Sequence, residues 1–207
     1  MKIIVFGSTG TIGQHVIKQA LDDGHQVTAF ARDTTKIGLN HSQLMKVTGD
    51  VMDYVSIDTA IPNHDVVLVV LGAGRKGGVR SAGTRNIIQA MQAHDMKRLI
   101  CQSTLGVGDS RKNLNLFWKY IMFGLLLRPA YADHGLQEQY VRESKLDWTI
   151  VRPAAFTDGK RTGKYLHGII TDEESPSLKI SRADVAEFLL KQLTDLRYLH
   201  KSPGLSY

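Results

Sequence analysis

A glycine-spaced turn set between a strand and a helix constrains this chain more than any other feature. Lys2–Phe6 is a continuous β-rich run. Gly7-Ser8-Thr9-Gly10-Thr11-Ile12-Gly13 follows directly, and Ile12, Val16, Ile17, Ala20 and Leu21 then recur at helical spacing up to Gly24. Gly7 permits the tight turn out of the strand, Gly10 lets the backbone approach a pyrophosphate, and Gly13 lets the helix pack closely on the sheet. Free N–H groups and the positive end of the helix dipole favour an anion at that point. A glycine motif alone is a weak signal. Its place between a strand and a helix, with a second strand at His25–Ala31, makes it a dinucleotide-binding turn. A glycine-rich turn without a ligand is the plainer reading of the same residues.

The alternation continues along the chain. Leu44–Val47, Val66–Leu71, Arg98–Gln102 and Trp148–Val151 read as strands, the last stopped by Pro153. Ser81–Ala93, Asp133–Ser144 and Val185–Leu193 read as helices, the third behind the capping box Ser181-x-x-Asp184. Val66–Leu71 is apolar on both faces, as a strand inside a parallel sheet must be. This pattern predicts an α/β fold: a Rossmann-like, doubly wound parallel sheet with helices on both faces. With 207 residues and 43% apolar content, residues 1–207 are expected to form a single NAD(P)-binding domain, with Lys201-Ser202-Pro203-Gly204 as a loose tail.

The remaining composition excludes several classes. Lys+Arg 26 against Asp+Glu 20 leaves a net charge of +6, which suits an anionic ligand, but no basic run or finger pattern supports nucleic-acid binding. A single cysteine, Cys101, excludes an intramolecular disulfide and any multi-cysteine metal site, and no cluster has metal-ligand spacing. The first apolar run is too short for a signal peptide. The longest, Leu114–Leu127, is interrupted by Asn115, Lys119 and Gly124, too short to span a bilayer. The expectation is a cytoplasmic protein, monomer or weak homodimer, with no membrane partner.

The end of the second strand bears on the cofactor. An acid there would grip a ribose 2′-hydroxyl. This strand ends Phe30-Ala31-Arg32, and a guanidinium would attract a 2′-phosphate instead, with Lys36 as a further donor, so NADP(H) is expected. Asp33 is expected to point away and cap the next turn; a surface Arg–Asp pair is the alternative. Asp50 and Val51 follow the third strand and suit an adenine edge and face, although a Gly49-Asp50 turn explains them equally. The fourth strand runs into Leu71-Gly72-Ala73-Gly74 and then Arg75, Lys76, Arg80 and Arg85, with no acid between Val66 and His94. That loop is read either as a holder of phosphates or an acidic substrate, or as a solvated charged loop.

Ordinary short-chain dehydrogenase chemistry needs a Tyr with a Lys four residues on. None of the seven tyrosines has one: Asp58, Gly124, Gly135, Ser144, Ile169 and Ser202 follow six of them at that spacing, and Tyr207 is the last residue. Ser103 ends the fifth strand between Gln102 and Thr104, where a nicotinamide and its acceptor would meet. A serine is a poor acid but orients a ring by hydrogen bonding; a capping hydroxyl is the alternative. His134 beside Asp133 is read as an oriented acid or, more simply, a helix-start pair. Leu114–Tyr131, apolar almost all round, reads as a wall over the acceptor or as core or dimer packing. Leu105, Trp118 and Lys119 are the candidate substrate contacts.

Gly7–Gly13, Arg32-Asp33, Gly49-Asp50-Val51, Leu71-Gly72, Ser103, Val141-Arg142-Glu143-Ser144 and Val151-Arg152-Pro153 together resemble the NAD(P)H-binding atypical short-chain dehydrogenase/reductases. Within them the chain is most similar to the biliverdin-IX-beta reductase/flavin reductase family. The resemblance runs through nearly the whole chain and implies NADPH-dependent hydride transfer to a flavin (FMN, FAD or riboflavin) or a linear tetrapyrrole such as biliverdin. It places Ser103 beside the acceptor, Ser103 and Thr104 against the cofactor, and Pro153, Ala154, Ala155 and Phe156 around the nicotinamide. Ala155 stands where some members have a histidine, and the stretch from Ser103 to Asp133 is longer and more apolar than in the compact reductases. A non-catalytic dinucleotide sensor similar to NmrA-like regulators is the second reading, since these also lack the Tyr–Lys pair.

Overall fold

In a computed structural model, which describes residues 1–75, 77–168 and 176–207, the apolar runs become strands of one sheet. In chain order the elements are β1 (Lys2–Phe6), α1 (Thr11–Asp22), β2 (Gln26–Ala31), β3 (Leu44–Thr48), α2 (Tyr54–Ala60), β4 (Val66–Val69), α3 (Val79–Ala93), β5 (Arg98–Gln102), α4 (Arg128–Glu143), β6 (Asp147–Pro153), β7 (Ala155–Thr157), β8 (Leu166–Gly168), β9 (Lys179–Ser181), α5 (Arg182–Lys191) and β10 (Gly204–Ser206). The eight-stranded sheet runs β3-β2-β1-β4-β5-β6-β10-β8. Every neighbouring pair is parallel except β10 with β8. β7 and β9 pair separately.

Side chains alternate across a strand, and that period sorts the core into two layers. Ile3, Val5 and Leu68 pack with Val16 and Ile17 of α1 and Val185 and Phe188 of α5. Ile4, Phe6, Val67 and Val69 pack with Ile57 of α2, Ile87 and Met91 of α3 and Val141 of α4 on the other face. The doubly wound architecture expected from the alternation is therefore the one observed. Among the described residues no helix is long and apolar enough to cross a membrane.

The differences lie where local pattern is silent. Residues 201–204 are not a loose tail, because Gly204–Ser206 enters the sheet as β10 beside β6. Pro153 does not stop β6 early. Arg152 and Ala154 donate their N–H groups to Pro203 and Leu205, while Pro153, just past the end of β5, offers its carbonyl to Leu105 at 2.9 Å, so no N–H is missed there. Helix α4 starts at Arg128 rather than Asp133, since Pro129 occupies the first turn, where its missing donor costs nothing.

One buried ion cluster fixes α4 against the sheet. Arg152, 1% exposed, donates from Nε to Glu138 Oε1 at 2.9 Å and from Nη2 to Oε2 at 2.8 Å. Arg142 closes on the same carboxylate from within α4, and Asp109 takes the remaining Nη1. The two arginines of the Val141–Ser144 and Val151–Pro153 motifs are thus structural. Glu138→Ala leaves Arg152 buried without its partner and is expected to cost about 3–5 kcal/mol. Urea unfolding measures this as a fall in midpoint at unchanged slope, while the exposed Glu143→Ala should shift stability by less than about 0.5 kcal/mol.

Candidate functional site at the carboxyl edge of the sheet

Strands β1, β2, β4, β5 and β6 end along one edge, and their following loops form a continuous crevice. Its first half, a cavity of about 170 Å3, is lined by Gly7, Thr9, Gly10, Arg32, Asp50, Val51, Leu71 and Gly72, with Gly49 and Val79. Gly7 adopts φ +91, in the left-handed region open to glycine, and Gly10 donates its N–H to the Gly7 carbonyl at 3.0 Å, closing the turn. A Cβ on Gly13 would collide with that same carbonyl, so the glycine is what seats α1 against the turn. Arg32 is exposed and makes no hydrogen bond or ion pair among the described residues. Asp33 turns away, accepts from Thr35 N at 3.1 Å, and lies 3.5 Å from Lys36 Nζ. Hydrogen bonds from Thr35 hold the Asp33 carboxyl below its usual range.

The second half, about 230 Å3, shares Gly10, Leu71 and Gly72 with the first. Thr11, Ile12, Ser103, Thr104, Leu105, Ala154, Ala155 and Phe156 line it, roofed by Leu114, Trp118, Phe123 and Leu127. Ser103 is 1% exposed and its Oγ has no hydrogen-bond partner. Trp118 and Phe123 come from a π-helical segment, Phe117–Leu126, which Leu114 precedes and Leu127 follows.

Several expected contacts are not brought to the crevice. Lys119 lies on the outer side of the π-helical segment, donating to the Lys112 carbonyl at 3.3 Å, in a separate cleft with Arg111 and Arg128. Phe117, 52% exposed, is likewise outside. Lys36 is engaged with Asp33. Ser8 is fully buried with its hydroxyl on the Phe30 carbonyl at 2.8 Å, so it ties β1 to β2. Gly13 acts through packing alone, Ala73 lies in the loop beyond the lining, and Pro153 is buried within β6. Asp50 also serves the turn, accepting from Met52 N at 3.0 Å, so the turn reading holds alongside its place in the lining.

Three polar residues of the cavity, Gln102, Arg80 and His134, stand outside the expected site set, although Arg80 reads as one of the basic residues that could hold an anion and His134 as a possible oriented acid. Arg80 is buried rather than part of a solvated loop, and Lys76 lies outside the described residues. Arg75 is exposed and Arg85 sits over the Tyr140 ring, 6.0 Å from its centroid. Asp133 does not start its own helix. It accepts from Ser81 N at 3.0 Å and Arg80 N at 3.2 Å, capping α3, whose own N-cap is Gly78 with no side chain to offer. The acid-free stretch from Val66 to His94 was the available signal, since a buried arginine there needs a carboxylate from elsewhere.

Residues 7–196 match a family model described as NAD(P)H-binding. The photosystem II assembly factor Ycf39 of Synechocystis is 26% identical over 204 residues, covering 92% of this chain and 58% of that protein, so the chain spans little more than half of that relative's length. A short-chain dehydrogenase/reductase of Veillonella parvula in complex with NADP superposes with a TM-score of 0.83 at 19% identity, covering 100% of this chain and 94% of that one. ChuY, described as an anaerobillin reductase from Escherichia coli O157:H7, gives a TM-score of 0.80 at 23% identity over 100% of this chain and 97% of that one. At these identities the two structures share the fold.

His134 carries a pH dependence into the site. Burial, then the nearby Arg80 guanidinium, lowers its pKa from 6.5 to about 4, against the opposing pull of Asp133. It is therefore neutral at pH 7. Between those two values the unfolded chain binds the proton and the folded chain does not. Its contribution, about 3 kcal/mol at ~1.4 kcal/mol per pH unit, is intact above the higher value and lost as pH falls toward the lower one. Melting temperatures across that window should drop in the wild type, and His134→Gln should flatten the curve.

Proposed function

The chain belongs to the NAD(P)H-binding family, and from that premise we propose that it is an NADPH-dependent reductase passing hydride to a flavin or a linear tetrapyrrole, with residues 1–207 working as one unit. The observation that carries this reading is Ser103. Its buried hydroxyl has no partner among the described residues, and Ser103 lines an apolar cavity that shares Gly10 with the glycine turn. A hydroxyl left unbonded in such a place costs free energy unless a ligand completes it.

The residues present fit the dinucleotide. The turn from Gly7 to Gly10 offers backbone rather than side chains, the N-terminus of α1 points its free N–H groups toward it, and Arg32 offers an unpaired guanidinium to a 2′-phosphate. NADP(H), when bound, supplies the hydride. Ala154, Ala155 and Phe156 would back the nicotinamide, and Leu105, Leu114, Trp118 and Phe123 would exclude water from a flat acceptor. Ser103 Oγ would donate to the acceptor atom where charge develops, holding the ring without serving as a strong acid. The absence of a Tyr–Lys pair accords with an acceptor that takes hydride without strong proton donation. The fold shared with a protein described as an anaerobillin reductase supports the same acceptor class.

Steady-state oxidation of NADPH with FMN or biliverdin tests the reading. Turnover with either is expected; none with any acceptor of the two classes would leave the non-catalytic sensor. Ser103→Ala should lower kcat and kcat/KM in the same proportion and leave NADPH affinity nearly unchanged, as for an interaction made in the transition state. Arg32→Ala should weaken NADPH binding about tenfold to several hundredfold, for the loss of one or two charged hydrogen bonds at roughly 1.5–3 kcal/mol each, with NADH little affected. Equal losses for the two cofactors would remove Arg32 from the assignment.

A further inference from the structure

The apolar cavity has one polar end, made by four side chains from three parts of the fold. Arg80 comes from the first turn of α3, Gln102 and Ser103 from the end of β5, and His134 from α4. Their exposures are 9%, 8%, 1% and 9%, and each has an atom with no hydrogen-bond partner: Arg80 Nη1, Gln102 Oε1, Ser103 Oγ and His134 Nδ1. Buried polar groups are satisfied almost everywhere in proteins, and four of the eight unpartnered atoms among the described residues belong to side chains lining this one cavity, which points to a bound ligand or ordered water completing them.

The donor and acceptor types define that ligand. Arg80 Nη1 can only donate, Gln102 Oε1 can only accept, and the serine hydroxyl does either. A carboxylate has no N–H for Gln102. It would also bring an extra negative charge, because Arg80 is already balanced by Asp133, whose Oδ2 lies 3.6 Å from Nη1 and whose carboxylate is 2% exposed. Burying a third charge beside a closed pair is unfavourable. An apolar ring edge would leave all four atoms bare. What matches is a neutral edge that pairs a carbonyl with an adjacent N–H.

Building on the reductase reading, we propose that this end of the cavity recognises the lactam or imide edge of a planar acceptor. Gln102 Oε1 accepts from the ring N–H, and Arg80 Nη1 and Ser103 Oγ donate to the carbonyl beside it, or to one each where the ring carries two. The pyrimidine edge of a flavin and the terminal pyrrolinone of a linear tetrapyrrole share this chemistry. The acceptor's carboxylates or phosphate then lie outside the polar end, toward solvent.

Binding, read separately from turnover, tests it. Lumiflavin and 3-methyllumiflavin differ only at the imide nitrogen; biliverdin and its O-alkylated lactim ether differ at the lactam edge, where the N–H and the carbonyl are lost together. Each pair is titrated by fluorescence into the full-length protein, with and without NADP+. The expected result is that blocking the N–H weakens binding at least tenfold in one pair or both; the pair that responds identifies the source of the edge. Gln102→Leu should abolish that discrimination while leaving NADP+ affinity unchanged, and Gln102→Met offers a second variant should the first fold poorly. Equal affinities within both pairs, or no binding of any of the four, would overturn the proposal. So would a loss of NADP+ affinity in the Gln102 variants, which would give the site to the cofactor's carboxamide. Discrimination in binding without any NADPH oxidation would remove the reductase reading and leave the recognition of the edge standing.

Discussion

The bidentate pair between Arg152 and Glu138 holds the helical layer that the site is built on. Taking both charges out of water is costly, and only close, doubly hydrogen-bonded geometry offsets it. That requirement leaves α4 one position along β6. His134 lies one helical turn before Glu138 on the same face, which sets where the imidazole meets the cavity. Asp133, beside it, reaches the backbone of α3. Two buried carboxylates on α4 therefore join β6 on one side to α3 on the other, and the polar end of the cavity lies near the point where those elements converge.

The same carboxylate of Asp133 meets two needs. It caps a helix that begins with a glycine at φ +85, and it balances a buried arginine. Burial alone would raise its pKa, but hydrogen bonds from Ser81 and Arg80 outweigh that and hold it below the usual range. With the Arg80 charge compensated, the Arg80 side of the cavity carries little net attraction for an anion. The uncompensated guanidinium of the crevice is Arg32, at the other end.

Much of this was legible in the amino-acid order, for a physical reason. The glycine turn, the strands β1 to β6 and the face of α1 depend on residues close in sequence, so Gly7, Gly10 and Arg32 could be placed from spacing. What depends on distant partners could not. The acidic–basic match of Arg80 with Asp133, and of Arg152 with Glu138, appears only when the helices are packed. The Leu114–Leu127 segment is apolar on nearly every side, so periodicity could not say which residues face inward. The π-helical segment sends Trp118 and Phe123 to the cavity and leaves Phe117 and Lys119 outside.

Strand β10 has a consequence for the order of folding. Gly204 pairs with Arg152, and Leu205 with Pro153, across a long separation in sequence, and among the described residues β8 in turn pairs only onto β10. Contacts between distant residues must overcome loop-closure entropy before they stabilise anything. During synthesis, β1 to β5 can assemble while β6 still presents an unpaired flank of Val151, Arg152 and Pro153. Until residues 204–206 emerge, that flank is an open template for another strand. Until β10 docks, the same flank that later completes the sheet can pair with a strand of a neighbouring chain.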